Sequence, residues 1–166
     1  GLQRRPEQRN RGRRSSARPI PARLGRLARA MISLDTNVVL SALDNSDMQQ
    51  ARAQRAILQA AGRGLLLISP PVYAELRASE FWEGQIKPFL RSTGIRVAWE
   101  MPEALWERAG EALGRYARLR RAGQLPRRIL ADFLIAAHAE HHHLAVLTFD
   151  ATVYRAVFPQ VELLEP

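Results

Sequence analysis

Four carboxylates in this chain stand where distant segments can meet to hold a metal ion. Asp35 and Asp150 each follow a short apolar run typical of a β-strand, whereas Glu75 and Asp132 lie in apolar stretches of helical character. Carboxylate oxygens from separate segments are the ligands that Mg²⁺ and other hard divalent cations prefer. A metal held in this way can activate water for attack on a phosphodiester bond. The pattern therefore predicts a metal-dependent phosphodiesterase.

Three of these acids have a simpler explanation when each is taken alone. Asp35 and Asp150 both precede a predicted helix, and an aspartate in that place is a good N-cap. Glu75 can be an ordinary glutamate on a helix surface. The metal hypothesis therefore rests on the agreement of all four positions rather than on any single one.

Asp132 is the most informative of the four acids. It interrupts an apolar run at residues 129–137, and an unpaired charge is costly to bury. A metal ion can neutralise it, but so can a local ion pair with Arg127 or Arg128. The sequence does not decide between the metal ion and an arginine as the partner of Asp132.

Apolar runs of strand character alternate with helical stretches along the chain. Strands are predicted at residues 31–34, 65–68, 95–98 and 145–148, with a fifth at 161–164. One helix is expected from Ser79 to about Gly94. This alternation predicts crossover connections, and hence an α/β fold with a central, mainly parallel sheet of four to five strands. The crevice of such a sheet lies at the carboxyl ends of the strands, which is where Asp35 and Asp150 are placed.

Composition limits the class of protein. The chain has 166 residues, is 46% hydrophobic and contains no cysteine, which fits a single domain and excludes disulfide frameworks and Cys-based zinc sites. The most apolar stretch, at residues 129–139, is shorter than the roughly 20 residues that cross a bilayer. We therefore expect a soluble, cytoplasmic protein without a membrane segment.

The net charge of +9 is confined to the start of the chain. Residues 1–30 hold 10 arginines and one glutamate, and residues 31–166 are neutral overall. This composition predicts a basic, disordered leader at 1–30, followed by one folded domain at 31–166. The leader can be a product of start-site choice or cloning, an RNA-attracting arm, a fragment of a partner, or an organelle presequence.

Four motifs, in this order, resemble those of PIN domains. They are Leu34-Asp35-Thr36-Asn37, Val72-Tyr73-Ala74-Glu75-Leu76, the run at 130–139 around Asp132, and Leu147-Thr148-Phe149-Asp150. Within that family the chain is most similar to the VapC-type toxins of bacterial toxin-antitoxin pairs. The resemblance implies a three-layer α/β/α sandwich in which the four acids bind Mg²⁺ or Mn²⁺. It also implies that Thr36, Asn37 and Thr148 are the polar residues that support them.

The resemblance implies an activity and partners as well. It predicts a metal-dependent endoribonuclease that hydrolyses RNA with metal-activated water and leaves a 5′-phosphate and a 3′-hydroxyl. A cognate VapB-like antitoxin and a homodimer are expected on the same ground. The alternative is a catalytically silent PIN-fold module that binds RNA or acts as a scaffold, although such modules typically lose one or more acids and all four are present here.

An acidic pocket needs cations nearby if it is to bind RNA. Arginines in a run without acids, at residues 112–131, can hold the phosphate backbone. A solvated helix end is the other explanation of this run. The candidates for RNA contact are Arg77, Arg115, Arg118, Arg120, Arg121, Arg127 and Arg128.

Other chemistries are less well supported. His138 and the triplet at 141–143 suggest zinc, but histidines near a helix C-terminus also interact favourably with the helix dipole without a metal. A haloacid-dehalogenase-like phosphatase needs a second acid where Asn37 stands. A phosphoacceptor receiver domain needs a lysine after a late strand, and the single lysine of the chain is Lys87. Both classes are therefore disfavoured.

Overall fold

The computed structural model describes residues 30–123 and 125–166. The predicted leader at 1–30 therefore lies outside the described residues, apart from Ala30, which is already part of the first strand. Among the described residues, no helix has both the length and the apolar character needed to cross a membrane.

The described residues form five strands, seven α-helices and one π-helical turn. The strands are β1 (Ala30–Leu34), β2 (Gly64–Ile68), β3 (Arg96–Val97), β4 (Ala145–Leu147) and β5 (Leu163–Leu164). The helices are α1 (Thr36–Leu43), α2 (Gln50–Arg63), α3 (Pro70–Ala78), α4 (Lys87–Thr93), α5 (Glu103–Arg121), α6 (Leu130–His141) and α7 (Thr152–Val157).

The helix expected from Ser79 to about Gly94 is interrupted. A π-helical turn, Trp82–Ile86, precedes α4, and the carbonyl of Phe81 accepts hydrogen bonds from the N–H groups four and five residues later. Pro88 has no N–H to donate to the residue four positions before it, so a regular α-helix cannot run through this point. The prediction of one continuous helix was wrong for this reason.

The five strands run parallel in the order β3-β2-β1-β4-β5. β2 and β3 lie on one side of β1, and β4 and β5 lie on the other side. The strand order therefore reverses at β1. Ligands of open parallel sheets bind where the strand order reverses in this way. Here that point lies between the carboxyl ends of β1 and β4, where the N–H of Asp35 donates to the carbonyl of Leu147 at 3.0 Å.

Alternate residues of the sheet face two apolar clusters. Ile32, Leu34 and Leu147 pack in a cluster with residues of α1, α2 and α3. Val146 and the partly buried Leu67 face the other cluster, which is built mainly by α5, α6 and α7. A parallel sheet covered in this way is the predicted α/β/α sandwich, and the predicted fold class is confirmed.

Local sequence explains how the helices around the reversal point begin. Asp35 ends β1 and caps α1, because its carboxylate accepts the N–H of Thr36 at 2.7 Å. Ser69 caps α3 through its hydroxyl, which accepts the N–H of Val72, and Pro70 and Pro71 occupy the first turn, where a missing N–H is tolerated. These caps turn the chain sharply from strand into helix at the edge of the sheet where the acids lie.

Candidate active site

The four predicted acids line one cavity of about 250 Å³. Asp35 comes from the end of β1, Glu75 from α3, Asp132 from the first turn of α6 and Asp150 from the segment after β4. Thr36, Asn37, Arg128 and Tyr154 are the other polar residues of its lining. Four segments that are far apart in the sequence therefore meet at the place that the sheet topology indicates.

Asp35 is fixed by donors from both neighbouring strand ends. Its carboxylate accepts the N–H of Thr36 at 2.7 Å, the hydroxyl of Thr148 at 2.7 Å and the side-chain amide of Asn37 at 3.3 Å. Thr148 is fully buried. Asn37 is itself held, because its oxygen accepts the N–H of Phe149 at 3.2 Å. The three predicted supporting residues thus surround this acid.

Burial and neighbouring carboxylates disfavour the ionised form of Asp35. Burial raises the pKa of Asp35 from 3.8 to about 6, and the carboxylates of Glu75 and Asp132 add to the rise, while hydrogen bonds from Thr148 and Thr36 oppose it. An ionised carboxylate in such surroundings is stabilised by any positive charge that enters the cavity.

Thr36 connects two of the acids. Its N–H donates to Asp35, and its hydroxyl donates to the carboxylate of Glu75, 39 residues further along the chain. One residue of α1 therefore orients a carboxylate on α3 relative to the end of β1.

Asp150 is paired with a cation of the chain itself. The guanidinium of Arg128 forms an ion pair with its Oδ2 atom, and the N–H of Thr152 donates to Oδ1 at 3.0 Å. Burial alone would raise the pKa of Asp150, but the hydrogen bonds from Thr152 and the charge of Arg128 outweigh it and hold the pKa below its usual value.

Asp132 has a different partner from the one that the sequence suggested. Its Oδ2 accepts the N–H of Ile129 at 3.0 Å, whereas Arg128 pairs with Asp150. The third residue of a helix points back toward the helix start, so its carboxylate satisfies a free N–H there. The ion-pair alternative for Asp132 therefore gives way to a capping contact.

The donor set fits a hard divalent cation better than zinc, because it consists of carboxylate oxygens. In their present rotamers, no three Asp, Glu or His side chains within residues 30–123 and 125–166 are grouped so that they could hold a metal ion. Asp132 faces the backbone of its own helix and Asp150 faces Arg128. A metal ion held by all four acids would compete with these two contacts.

Arg128 is the RNA-contact candidate that lies in the lining of the acidic cavity. Arg77 lies over the ring of Trp82, with its guanidinium 5.1 Å from the ring centroid and 3.9 Å from the carboxylate of Glu83. The remaining candidates are exposed on the second half of α5 or in the loop before α6: Arg115, Arg118, Arg120, Arg121 and Arg127.

Two histidines, one in α6 and one directly after it, have structural contacts. The Nε2 atoms of His138 and His142 lie 2.8 Å and 2.9 Å from the carbonyl oxygens of Ala98 and Glu100. His138 is fully buried, and burial lowers its pKa. These contacts tie the end of α6 to the segment between β3 and α5. In the part of the chain that the structure describes, no histidine belongs to a group that could bind zinc.

Tyr154 is a cavity residue that the sequence analysis missed. Its ring is buried and lines the cavity. Burial raises the pKa of its hydroxyl well above the usual value, and the carboxylates of Asp35, Asp132 and Asp150 reinforce the rise. It lies in α7, four residues after Asp150, and nothing in the sequence separates it from an ordinary core tyrosine.

A larger cavity of about 780 Å³ lies elsewhere, between α2, β2 and α4. Its lining is mainly apolar and contains no acid or histidine, and Leu58 and Leu65 in it are exposed. This cavity therefore offers no carboxylate or imidazole ligand for a cation.

Comparison with solved structures agrees with this architecture. A chain of VapBC2 from Rickettsia felis, bound to a promoter DNA fragment, superposes with a TM-score of 0.58 and 20% identity, covering 81% of this chain and 98% of that chain. For VapBC-1 from nontypeable Haemophilus influenzae the TM-score is 0.56 at 17% identity, covering 81% and 97%. For FitAcB from Neisseria gonorrhoeae it is 0.52 at 24% identity, covering 80% and 96%. Identities this low show similarity of fold.

Family membership is settled by the sequence. No curated protein matches the chain, but the family model for the PIN domain matches residues 32–159. That range holds all four acids and spans well over half of the chain. The predicted resemblance is therefore confirmed, and the chain belongs to the PIN-domain family.

Proposed function

We propose that this chain is a metal-dependent endoribonuclease and the toxin of a toxin-antitoxin pair. The observation that supports this most strongly is the meeting of Asp35, Glu75, Asp132 and Asp150 at one cavity. The raised pKa of Asp35, caused by burial and by two neighbouring carboxylates, adds a need for positive charge there. The proposed reaction is hydrolysis of an RNA phosphodiester bond that leaves a 5′-phosphate and a 3′-hydroxyl.

The polar residues in and around the cavity have distinct parts in this proposal. Mg²⁺ or Mn²⁺, when bound, supplies an activated water and stabilises negative charge on the phosphorane-like transition state. The four acids would hold the ion. Thr36, Asn37 and Thr148 fix the orientation of the acids, and such supporting contacts typically change metal affinity or activity by about 10- to 100-fold. Tyr154 stays protonated at neutral pH and can donate a hydrogen bond into the cavity.

The proposed partners are an RNA substrate, a VapB-like antitoxin and a second copy of the chain. Similar folds in VapBC2 and VapBC-1 support the antitoxin, and the homodimer rests on the family resemblance. We propose the cytoplasm as the place of action, because the RNA and the antitoxin would both be encountered there.

A second candidate is the catalytically silent RNA-binding or scaffold module. Two observations favour it: no three acids of the described residues are arranged to hold a metal as they stand, and Arg128 is already paired with Asp150. Such a protein would bind RNA without cutting it.

Cleavage of total RNA by the full chain and by Asp132→Ala separates the two candidates. We expect the wild-type chain to cut RNA with Mg²⁺ or Mn²⁺ and to stop when a chelator is added. Asp132→Ala should cut at least about 100-fold more slowly, because a lost ligand costs more than a lost supporting contact. Circular dichroism of both chains controls for folding. Metal-independent cutting, or equal cutting by both chains, contradicts the nuclease mechanism, and RNA binding without cutting by the wild type supports the silent module.

A further inference from the structure

The acidic cavity already contains a cation from the chain. Arg128 lies in the loop between α5 and α6, its side chain is 22% exposed, and its guanidinium is paired with Asp150. Within the described residues that line this cavity, four side chains are carboxylates and Arg128 is the single cationic one. The guanidinium therefore offsets part of a negative charge that a divalent cation would otherwise offset.

Both carboxylate oxygens of Asp150 are engaged in this arrangement. Oδ2 accepts from Arg128, and Oδ1 accepts from the N–H of Thr152 at 3.0 Å. The bond from Thr152 is part of the start of α7 and is local, whereas the bond from Arg128 spans 22 residues. A divalent cation that binds Oδ2 of Asp150 therefore competes with the guanidinium for that atom, whereas the local hydrogen bond from Thr152 to Oδ1 can remain.

The backbone before Arg128 is anchored while its side chain is long and flexible. The hydroxyl of Tyr116, a buried residue of α5, donates to the carbonyl of Pro126 at 2.9 Å. This contact fixes the position from which the guanidinium extends. A guanidinium held near a cavity in this way can turn from a carboxylate to a phosphate, because its planar fork binds both groups bidentately.

We propose that Arg128 is a resident counter-ion that competes with the divalent cation for Asp150 and is drawn away by the phosphate backbone of the substrate. This inference rests on the proposed function and deepens it. Without RNA, the guanidinium weakens metal binding. With RNA, the phosphate takes the guanidinium and Asp150 becomes free for the metal. Metal and RNA then strengthen each other's binding, since such coupling is reciprocal.

Binding of Mn²⁺ to the full chain, measured by electron paramagnetic resonance without RNA, tests the competition. We expect Arg128→Gln to bind Mn²⁺ about fivefold more tightly than wild type, as removal of one partly exposed ion pair allows. Arg127→Gln is the matched control, because it removes the same charge from the neighbouring, exposed residue. It should stay within about twofold of wild type, because exposed charges are strongly screened. In an Asp150→Asn background, Arg128→Gln should have no effect on Mn²⁺ affinity.

A short single-stranded oligodeoxynucleotide, used as a phosphodiester probe, tests the coupling. It should tighten Mn²⁺ binding by wild type and not by Arg128→Gln. Arg128→Lys keeps the charge without the planar fork, so the probe should tighten its Mn²⁺ binding by an intermediate factor. This variant also provides a second test in case the glutamine variant misfolds. Equal Mn²⁺ affinities of wild type and Arg128→Gln, or equal tightening by the probe, overturn the role of Arg128 and leave the nuclease proposal standing. Failure of both chains to bind Mn²⁺ overturns both proposals.

Discussion

Asp35→Asn is expected to lower RNA cleavage by more than about 100-fold and to remove measurable Mg²⁺ binding. Asp35 is the acid with the most contacts in the site, since it accepts hydrogen bonds from Thr36, Asn37 and Thr148. Asparagine keeps the size of the side chain but loses the charge, and its nitrogen cannot accept any of these bonds. Loss of a residue that only supports a ligand typically lowers metal affinity or activity by about 10- to 100-fold. Loss of the charge of a ligand itself should therefore lower cleavage further.

The matched control is Asp44→Asn. Asp44 follows α1, and its carboxylate accepts hydrogen bonds from Ser46 outside the cavity. This variant carries the same chemical change and should cleave RNA at nearly the wild-type rate. Cleavage by Asp35→Asn within about tenfold of wild type would mean that Asp35 is only the cap of α1.

Stability without metal should fall as the pH rises from about 4 to 7. Because folding raises the pKa of Asp35 from 3.8 to about 6, the folded protein holds this proton more tightly than the unfolded chain. The stabilisation from this proton is complete at a pH below the pKa of Asp35 in the unfolded chain. It is lost as the pH rises through the pKa of Asp35 in the folded protein. A difference of about two pKa units corresponds to about 2 to 3 kcal/mol. Mg²⁺ should restore this stability by binding the ionised carboxylate.

Thermal unfolding with Mg²⁺ and with a chelator, at pH 5 and pH 7.5, measures this linkage. The stabilisation by Mg²⁺ should be larger at pH 7.5. The lowered pKa of buried His138 works in the opposite direction, because a neutral buried histidine adds stability as the pH rises. The comparison is therefore made with Asp35→Asn, which keeps His138 and removes the titration of Asp35. A pH dependence that is the same in both chains would show that Asp35 has an ordinary pKa in the folded protein.

The strand positions could be predicted from the sequence, because short apolar runs bounded by glycine, proline and polar residues are typical of buried strands. The runs that became β1, β2 and β4 are of this kind, and they placed Asp35 and Asp150 at strand ends. The parallel topology then required those ends to meet. Glu75 and Asp132 lie on helices, where periodicity alone does not separate a ligand from a surface or capping acid. Their assignment needed the order of the family motifs.

Contacts made by loop residues could not be predicted from such sequence patterns. The pairing of Arg128 with Asp150 rather than Asp132 depends on the path of the loop before α6, which residue spacing does not encode. The break before α4 depends on how one proline is accommodated at Pro88. Tyr154 was missed because a tyrosine in a short apolar helix is typical of a core residue, and only the assembled cavity shows that it lines an acidic site.

Carboxylates from four segments should together bind a divalent cation in this cavity. Anomalous diffraction from crystals of the full chain soaked with Mn²⁺ would locate such an ion. We expect anomalous density inside the cavity, within ligand distance of Asp35 and at least two of Glu75, Asp132 and Asp150, with Arg128 turned away from Asp150. Well-diffracting crystals with Mn²⁺ bound elsewhere and no density among these carboxylates would show that the four acids do not form a metal site.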